Sequence, residues 1–383
     1  MMPRDFHPSP PTVGLELEWQ LVHHETLDLH EGIAPLLALL PPDPCIKPEV
    51  IEPCVEVVTA PMASTALLRG ALLERVSRVS EAAARLGMVL VGAGTHPFCE
   101  RIVPVTPLPR YLEMQRRSGY LANTQIVYAL HVHVGMPSGE VAIRVMAQIR
   151  AVLPVLLALS ASSPAYCGRE TSFASFRRCL LAPTRSAGIA PAFDDWAAFL
   201  HFVDVVERAA MFASYRDMHW DLRPRPDLGT LEVRIMDAQP TNADALALGA
   251  LVHSLLAVVM DDATTDPRLP RAIPWWIEKE NGHRAARDGL DAELVVDAEG
   301  HSRALRRMAE DLFDITRPKA RALGEEADLA RAEGLLSRGN SSMRQMDVLR
   351  RTGSMKAVAR ALADELRAEI DLCGRYGAPA ATA

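Results

Sequence analysis

Charged and imidazole side chains occupy every second position in four short apolar segments of this chain. The residues are Glu16, Glu18, Glu56, His131, His133, Glu232 and Arg234. Successive side chains of a β-strand point to opposite faces of the sheet. The alternation therefore predicts four strands, each with one apolar face and one face that carries acids, imidazoles or a guanidinium.

Charged faces are common on half-exposed antiparallel strands, so each segment alone predicts little about function. Here four segments share the pattern, and none of their polar faces contains a lysine. If the strands pair, the carboxylates lie several Å apart, which costs on the order of several kcal/mol at low effective dielectric unless cations neutralise them. Bound metal explains the pattern best. Oxygen-rich sites with one or two imidazoles suit Mg²⁺ or Mn²⁺ better than Zn²⁺.

Arginines form a second group of candidate residues. Arg223 lies close to Glu232 in the sequence, and Arg234 shares the predicted polar face of Glu232. Guanidinium groups beside a metal-binding acidic sheet are what transfer of a phosphoryl group requires, because they stabilise charge on the moving group. We therefore predict catalytic roles for Arg223, Glu232 and Arg234. The chain contains no Walker A or GxGxxG motif, so a P-loop or Rossmann nucleotide site is not expected.

The elements that must position these residues are strands and helices without a regular βαβ rhythm. The predicted strands are Val13–Val22, Glu49–Thr59, Met88–Val91, Ile126–Gly135 and Thr230–Met236. The predicted helices include Ser64–Leu86, Ser138–Ser160 with a kink at Pro154, Asn242–Met260 and Ser354–Cys373. This order predicts an α+β fold with an antiparallel sheet. We expect one domain over residues 1–375 and a disordered tail at 376–383.

Composition excludes several classes of protein. The chain has 383 residues, 49% of them hydrophobic, with 48 acidic against 41 basic residues and a formal net charge of −7. A nucleic-acid binder would need a concentrated basic face, so no nucleic-acid partner is expected. No segment is predicted to enter a membrane, and the first residues lack the order of a secretory signal. Six cysteines without a CxxC pair indicate reduced thiols and a cytoplasmic location.

The motifs that carry these residues resemble those of the carboxylate–amine ligase family, also called type 2 glutamate–cysteine ligases. The resemblance extends from about Val13 to Leu372. Its best motifs are GlyLeuGluLeuGluTrp at 14–19, ValGluValValThr at 55–59, HisValHisValGly at 131–135 and TrpAspLeuArgProArgProAspLeuGlyThrLeuGluValArgIleMetAsp at 220–237. It implies a glutamine synthetase-like catalytic fold, which is a curved antiparallel sheet with helices packed on its apolar face.

The resemblance also implies roles for individual residues. The metal ligands would be Glu16, Glu18, Glu56, His131 and Glu232. The cofactor-binding residues would include His133 and Arg234, and we also predict binding roles for Arg169, Arg177 and Asn281. The arginines at 169, 177 and 223 could pair with the α-carboxylate of glutamate that stays free while its side-chain carboxylate reacts. His133 would lie beside the phosphates of ATP, and Arg234 would contact the transferred phosphoryl group. The sequence departs from the family at Glu170, Ser172 and the two residues after Asn281, all on the predicted substrate side.

The predicted function is that of an ATP-dependent carboxylate–amine ligase that uses Mg²⁺, or alternatively Mn²⁺. Glutamate and cysteine are the default pair of small-molecule substrates, joined through an acyl phosphate. Two alternatives stay open at this point. One is a metal-dependent hydrolase that uses the HxH motif and the carboxylates, and the other is a non-catalytic sensor of an amino acid or a nucleotide. A homodimer is an option for the assembly of the chain.

Overall fold

An antiparallel sheet of seven strands forms the centre of the computed structural model, which describes residues 2–212, 214–261 and 266–376. The strand order is β2-β3-β1-β5-β9-β8, and β4 pairs with the second half of β1. The strands of this sheet are β1 (Val13–His23), β2 (Ile46–Pro48), β3 (Cys54–Val58), β4 (Met88–Val91), β5 (Ala129–Gly135), β8 (Leu222–Arg225) and β9 (Thr230–Asp237). The predicted α+β class with an antiparallel sheet is confirmed.

Two short hairpins and fifteen α-helices complete the described part of the chain. The hairpin strands are β6 (Ala165–Tyr166), β7 (Arg169–Glu170), β10 (Glu293–Val295) and β11 (Ser302–Ala304). The helices are α1 (Ile33–Leu39), α2 (Thr65–Arg85), α3 (Pro109–Ser118), α4 (Leu121–Thr124), α5 (Gly139–Ile149), α6 (Leu153–Ser160), α7 (Arg177–Leu181), α8 (Trp196–Arg208), α9 (Asn242–Met260), α10 (Trp275–Asp288), α11 (Leu305–Leu323), α12 (Glu326–Glu333), α13 (Leu335–Arg338), α14 (Ser341–Thr352) and α15 (Met355–Tyr376).

The apolar face of the sheet packs against helices α2 and α9. Leu15, Leu17, Trp19 and Leu21 of β1 are all buried in the main core. Helix α9 crosses this face in contact with β1 and β5. It approaches closely at Gly249, where an added Cβ would lie only 3.0 Å from a methyl carbon of Leu15. This packing leaves the opposite, polar face of the sheet free for the site.

Within the described parts of the chain, two helical segments are long and apolar enough to cross a membrane by length and composition alone. They are Gly139–Ser160 and α9, and 72% and 83% of their apolar windows are buried inside the protein. Their apolar residues belong to the core, which is the usual reason for such composition in a buried helix.

The predicted long helix at 138–160 is two helices separated by a short turn. Ser138 caps α5 as expected, since its hydroxyl accepts a hydrogen bond from the amide of Val141. The break falls at residues 150–152, and Pro154 lies in the first turn of α6. Proline is tolerated there because the first helical amides have no partner within the helix.

The strand predicted over Glu49–Thr59 is wrong in its first half. Only Cys54–Val58 form a strand, and the preceding residues turn away between Pro48 and Pro53, which cannot donate to a ladder. Strands β2 and β8 were not predicted, because each is short and contains a proline. Residues 377–383 of the predicted tail lie outside the described residues, and the single-domain organisation stays a prediction.

Truncation of Leu15 should destabilise the fold, because this side chain lies where the sheet meets α9. We expect Leu15→Ala to lower the free energy of unfolding by about 2–5 kcal/mol, as for other buried leucines. Leu67→Ala, on the exposed side of α2, should change it by less than about 0.5 kcal/mol. Urea denaturation measures the free energy of unfolding of both variants. A decrease for Leu15→Ala as small as that for Leu67→Ala would contradict this packing.

Candidate active site

Strand pairing brings the predicted polar residues onto one face of the sheet. Glu16 on β1 lies opposite His131 on β5, and Glu18 lies opposite Glu56 on β3. On the next strand Glu232 lies opposite His133. Direct partners on neighbouring antiparallel strands point to the same side with Cβ atoms about 5 Å apart. The face therefore gathers acids and imidazoles from four strands.

Glu16 lies between the two imidazoles of the HisValHis segment. Its carboxylate oxygens are 3.0 Å from Nδ1 of His131 and 3.2 Å from Nε2 of His133. The other ring nitrogen of His133 is 3.0 Å from the hydroxyl of Thr230. Burial acts to raise the pKa of Glu16, but His133 and His131 outweigh it and hold this pKa well below its usual range. Glu16 is therefore a carboxylate at neutral pH.

Glu232 is a fully buried carboxylate surrounded by guanidinium groups. Arg223, its partner on β8, donates two hydrogen bonds of 2.8 and 2.9 Å to the two carboxylate oxygens. Arg234 also donates to Glu232, and Arg225 lies 3.6 Å away. Burial acts to raise the pKa of Glu232, but Arg223 and Arg234 keep it well below its usual range. Two paired strands thus hold an anion in the interior of the protein.

A second acidic group, Glu18, Glu49 and Glu56, is poorly neutralised by the protein. Burial and the neighbouring Glu49 raise the pKa of Glu18 to about 8. Burial and Glu16 raise the pKa of Glu56 well above its usual range, although Lys47 is 3.8 Å from its carboxylate. Buried acids that lack counter-charges favour binding of cations.

Most of these groups line one cavity of about 410 Å³, although His133, predicted beside the phosphates, and Glu232 are not among its lining residues. The acids Glu16, Glu18, Glu49 and Glu56 come from β1, β3 and the segment before β3. The arginines come from β8, β9, α3, α7 and the segment before β8, namely Arg110, Arg177, Arg178, Arg216, Arg223, Arg225 and Arg234. Such a cavity can hold cations at its acids and an anion such as a phosphate between the cations and the arginines.

Glu16, His131 and Glu232 fit a divalent metal ion. One ligand atom from each lies within 4.8 Å of the other two. Burial, followed by the charge of Arg234, lowers the pKa of His131 to about 4, so its imidazole is neutral and able to act as a ligand. The Glu18 group offers three further carboxylates nearby. Two acids and one imidazole are donors that Mg²⁺ or Mn²⁺ accepts.

Of the other three predicted binding residues, the structure brings Arg177 to the cavity but not Arg169 or Asn281. Arg177 lines the cavity, where its guanidinium donates to the carbonyls of Ile235 and Arg234 at 3.2 and 3.3 Å. Arg169 is exposed on β7 and does not line the cavity. Asn281 uses its side-chain amide on the backbone of Val295, with two hydrogen bonds of 2.8 Å. The structure therefore does not bring Arg169 and Asn281 to this site.

Sequence reasoning missed several polar residues that line the cavity, among them Lys47, Glu49, Arg110, Arg216 and His219. Lys47 lies opposite Glu56 on β2, so one lysine does share the polar face. The alternation of polar and apolar residues would have indicated Lys47 only if β2 had been predicted as a strand. Glu49, Arg110 and His219 lie outside the sheet, and no periodicity marks their orientation.

The chain matches the sequence profile of glutamate-cysteine ligase family 2 over residues 12–361. A relative from Trichormus variabilis bears the name "Putative glutamate–cysteine ligase 2". It is 42% identical over 379 residues, which cover 98% of both chains. The chain belongs to glutamate–cysteine ligase family 2. It is therefore a ligase that forms C–N bonds, and the family resemblance inferred from its motifs is confirmed.

Solved structures support the fold. A glutamate–cysteine ligase from Francisella tularensis, solved in complex with AMP, superposes with a TM-score of 0.66 at 14% identity over 97% of this chain and 94% of its own. A bifunctional glutathione synthetase from Pasteurella multocida gives a TM-score of 0.69 at 15% identity, covering 94% of this chain and 52% of that longer one. At such identities the likeness concerns the fold alone.

Removal of the Glu16 charge should weaken metal binding, because Glu16 is one of the three converging ligands. We expect Glu16→Gln to weaken Mn²⁺ binding about tenfold or more, measured by the paramagnetic resonance signal of free Mn²⁺. The matched control is Glu293→Gln, at an exposed acid of β10. Equal Mn²⁺ affinity in both variants would rule out Glu16 as a ligand.

Proposed function

We propose that this ligase uses ATP to phosphorylate the side-chain carboxylate of L-glutamate and then joins it to an amino acid amine such as that of L-cysteine. The observation that supports the proposal best is that one cavity is lined by both acids and arginines. During its transfer a phosphoryl group carries negative charge, which cations on both sides stabilise. This cavity offers guanidiniums directly and metal sites through its carboxylates.

The proposed reaction has two steps. In the first, an oxygen of the substrate carboxylate attacks the terminal phosphorus of ATP, and ADP leaves with the electrons of the broken P–O bond. In the second, the amine attacks the acyl carbon, phosphate leaves, and the amine loses a proton. Mg²⁺ or Mn²⁺ at Glu16, His131 and Glu232 would supply positive charge to the phosphates.

Side chains of the protein, Arg234 and His133, contribute charge and positioning to the reaction. Arg234 is buried beside Glu232 and lines the cavity, so its guanidinium can stabilise charge on the moving phosphoryl group. His133, behind Glu16, holds that carboxylate in place.

Arg177 is the best candidate to bind the α-carboxylate of glutamate. Of the arginines considered for this contact from the sequence, Arg169 does not reach the cavity. Arg223 does, but its guanidinium is used on Glu232 and on three backbone carbonyls. Arg177 lines the cavity and makes fewer such bonds, one to each of the carbonyls of Ile235 and Arg234. It lies 3.8 Å from buried Asp237, which helps to fix its guanidinium.

Family membership favours the ligase over the hydrolase and the sensor. Addition of ATP separates all three, because a hydrolase would ignore it and a sensor would bind without turnover. A cytoplasmic location and a homodimer stay predictions from the sequence.

ADP release in the presence of Mg²⁺, ATP and glutamate tests the proposal. We expect turnover that requires glutamate and an amine, and a hydroxamate when hydroxylamine replaces the amine, because hydroxylamine intercepts an acyl phosphate. A panel of amines, with glutamate constant and then omitted, identifies the second substrate. Release of AMP and pyrophosphate, or turnover that ignores glutamate, would refute the proposal.

Loss of the Arg234 guanidinium should reduce turnover far more than substrate binding. We expect Arg234→Ala to lower kcat about 10²-fold or more, with Arg234→Lys intermediate because it keeps the charge without the planar group. Arg287→Ala, at a mostly exposed arginine of α10, is the control. Circular dichroism checks folding, since Arg234 also pairs with Glu232. A kcat for Arg234→Ala close to that of the control would exclude the role.

A further inference from the structure

His219 is a hydrogen-bond acceptor among several donors, and the proposed reaction gives it no role so far. It lines the cavity. The cations that act on its ring, Arg110, Arg223 and Arg234 among them, are guanidiniums, which only donate, and the neighbouring acid Asp221 accepts from Arg178 at 2.7 Å. Phosphates and carboxylates only accept, so they would bind the arginines and gain nothing from an imidazole lone pair.

The hydrogen bonds of Ser186 fix the tautomer of the His219 ring. The Ser186 hydroxyl donates its one hydrogen to the carbonyl of Asp217 at 2.7 Å. Its oxygen must then accept from the backbone amide of His219 at 3.2 Å and from ring Nδ1 at 3.1 Å. The proton of the neutral ring is therefore on Nδ1, and Nε2 carries a lone pair. Among the described residues, no group donates to Nε2.

The backbone that carries His219 is held in place. Arg223 donates to the carbonyls of Tyr215, Arg216 and Met218 at 3.3, 3.4 and 3.0 Å while it also binds Glu232. The turn before His219 is thus tied to the centre of the site. A ring fixed by Ser186 on a turn fixed by Arg223 presents Nε2 to the cavity in one orientation, as a binding group requires.

The charges around His219 keep its imidazole neutral. Burial lowers its pKa to about 3, and Arg234, Arg223, Arg110 and His131 act in the same direction. The same positive potential disfavours an ammonium group next to the ring. A ligand at this position should therefore carry an N–H but no positive charge.

We propose that Nε2 of His219 accepts a hydrogen bond from the attacking amine, bound as the free base, and orients its lone pair towards the acyl carbon. This inference rests on the proposed function and adds an amine-binding residue to it. The unprotonated amine is the nucleophilic form, and its N–H groups need an acceptor. The carboxylates of the acid and the phosphates of ATP are served by the guanidiniums. The ribose hydroxyls and the adenine amino group of ATP are the other neutral donors, and the KM for ATP separates them from the amine.

Two substitutions of His219, by asparagine and by glutamine, distinguish the roles of the two ring nitrogens. In His219→Asn the amide can replace Nδ1 and keep the bond to Ser186, but nothing replaces Nε2. In His219→Gln the longer side chain can place its carbonyl oxygen near the position of Nε2. The KM values for ATP, glutamate and L-cysteine are measured for both variants, together with hydroxamate formation at saturating hydroxylamine.

We expect His219→Asn to raise the KM for cysteine about tenfold, the usual effect of one lost hydrogen bond. Its KM for ATP and glutamate and its rate of hydroxamate formation should stay within about twofold of the wild type, since saturating hydroxylamine makes binding of the amine unimportant. His219→Gln should recover most of the cysteine affinity.

An unchanged KM for cysteine in His219→Asn would overturn the inference, and so would an equal rise in the KM for ATP or glutamate. A Gln variant no better than the Asn variant would do the same, because it would indicate a structural role. Absence of ATP-dependent hydroxamate from the wild type is a different failure, since it would contradict the proposed function itself. If His219→Asn does not fold, Ser186→Ala, which frees the ring tautomer, should raise the KM for cysteine alone.

Discussion

The buried charge of Glu232 is the constraint around which the site is built. A carboxylate with no exposed surface is stable only when cations and hydrogen-bond donors surround it. Arg223 on β8 meets this need through register, because the two residues are direct partners on adjacent strands. Arg223 also ties down the turn that carries His219. One ion pair thus connects the metal-binding face, the arginines of the cavity and the segment that carries His219.

The acids of the site differ in how far they are neutralised. Arginines compensate Glu232 within the chain. Glu18, Glu49 and Glu56 keep raised pKa values, although Lys47 lies 3.8 Å from Glu56 and the charges of Arg110, Arg177 and Arg234 act on this group. The protein therefore carries an acidic group that is incomplete without external cations. This asymmetry favours a reaction in which cations and a phosphate anion enter the cavity together, as a kinase-like first step of ligation needs.

Side-chain alternation was sufficient to predict the sheet face, because a period of two is fixed by the strand backbone and survives errors at strand ends. It could not predict what irregular backbone contributes. Glu49 precedes β3, and His219 lies on a turn. The β5–β9 register shifts near His131, so that Arg234 and Ile235 both line the cavity. Arg169 and Asn281 were predicted from local motifs. A motif does not reveal that the side-chain amide of Asn281 is hydrogen-bonded to the backbone of Val295.

A crystal structure with Mn²⁺ and a non-hydrolysable ATP analogue tests the central claim most directly, because anomalous scattering locates the metal without assumptions about its ligands. The account predicts one anomalous peak within bonding distance of Glu16, His131 and Glu232, and another near Glu18, Glu49 and Glu56, with the terminal phosphate between the metals and Arg234. Phosphates bound outside this cavity, or Mn²⁺ that avoids Glu16 and Glu232, would contradict it.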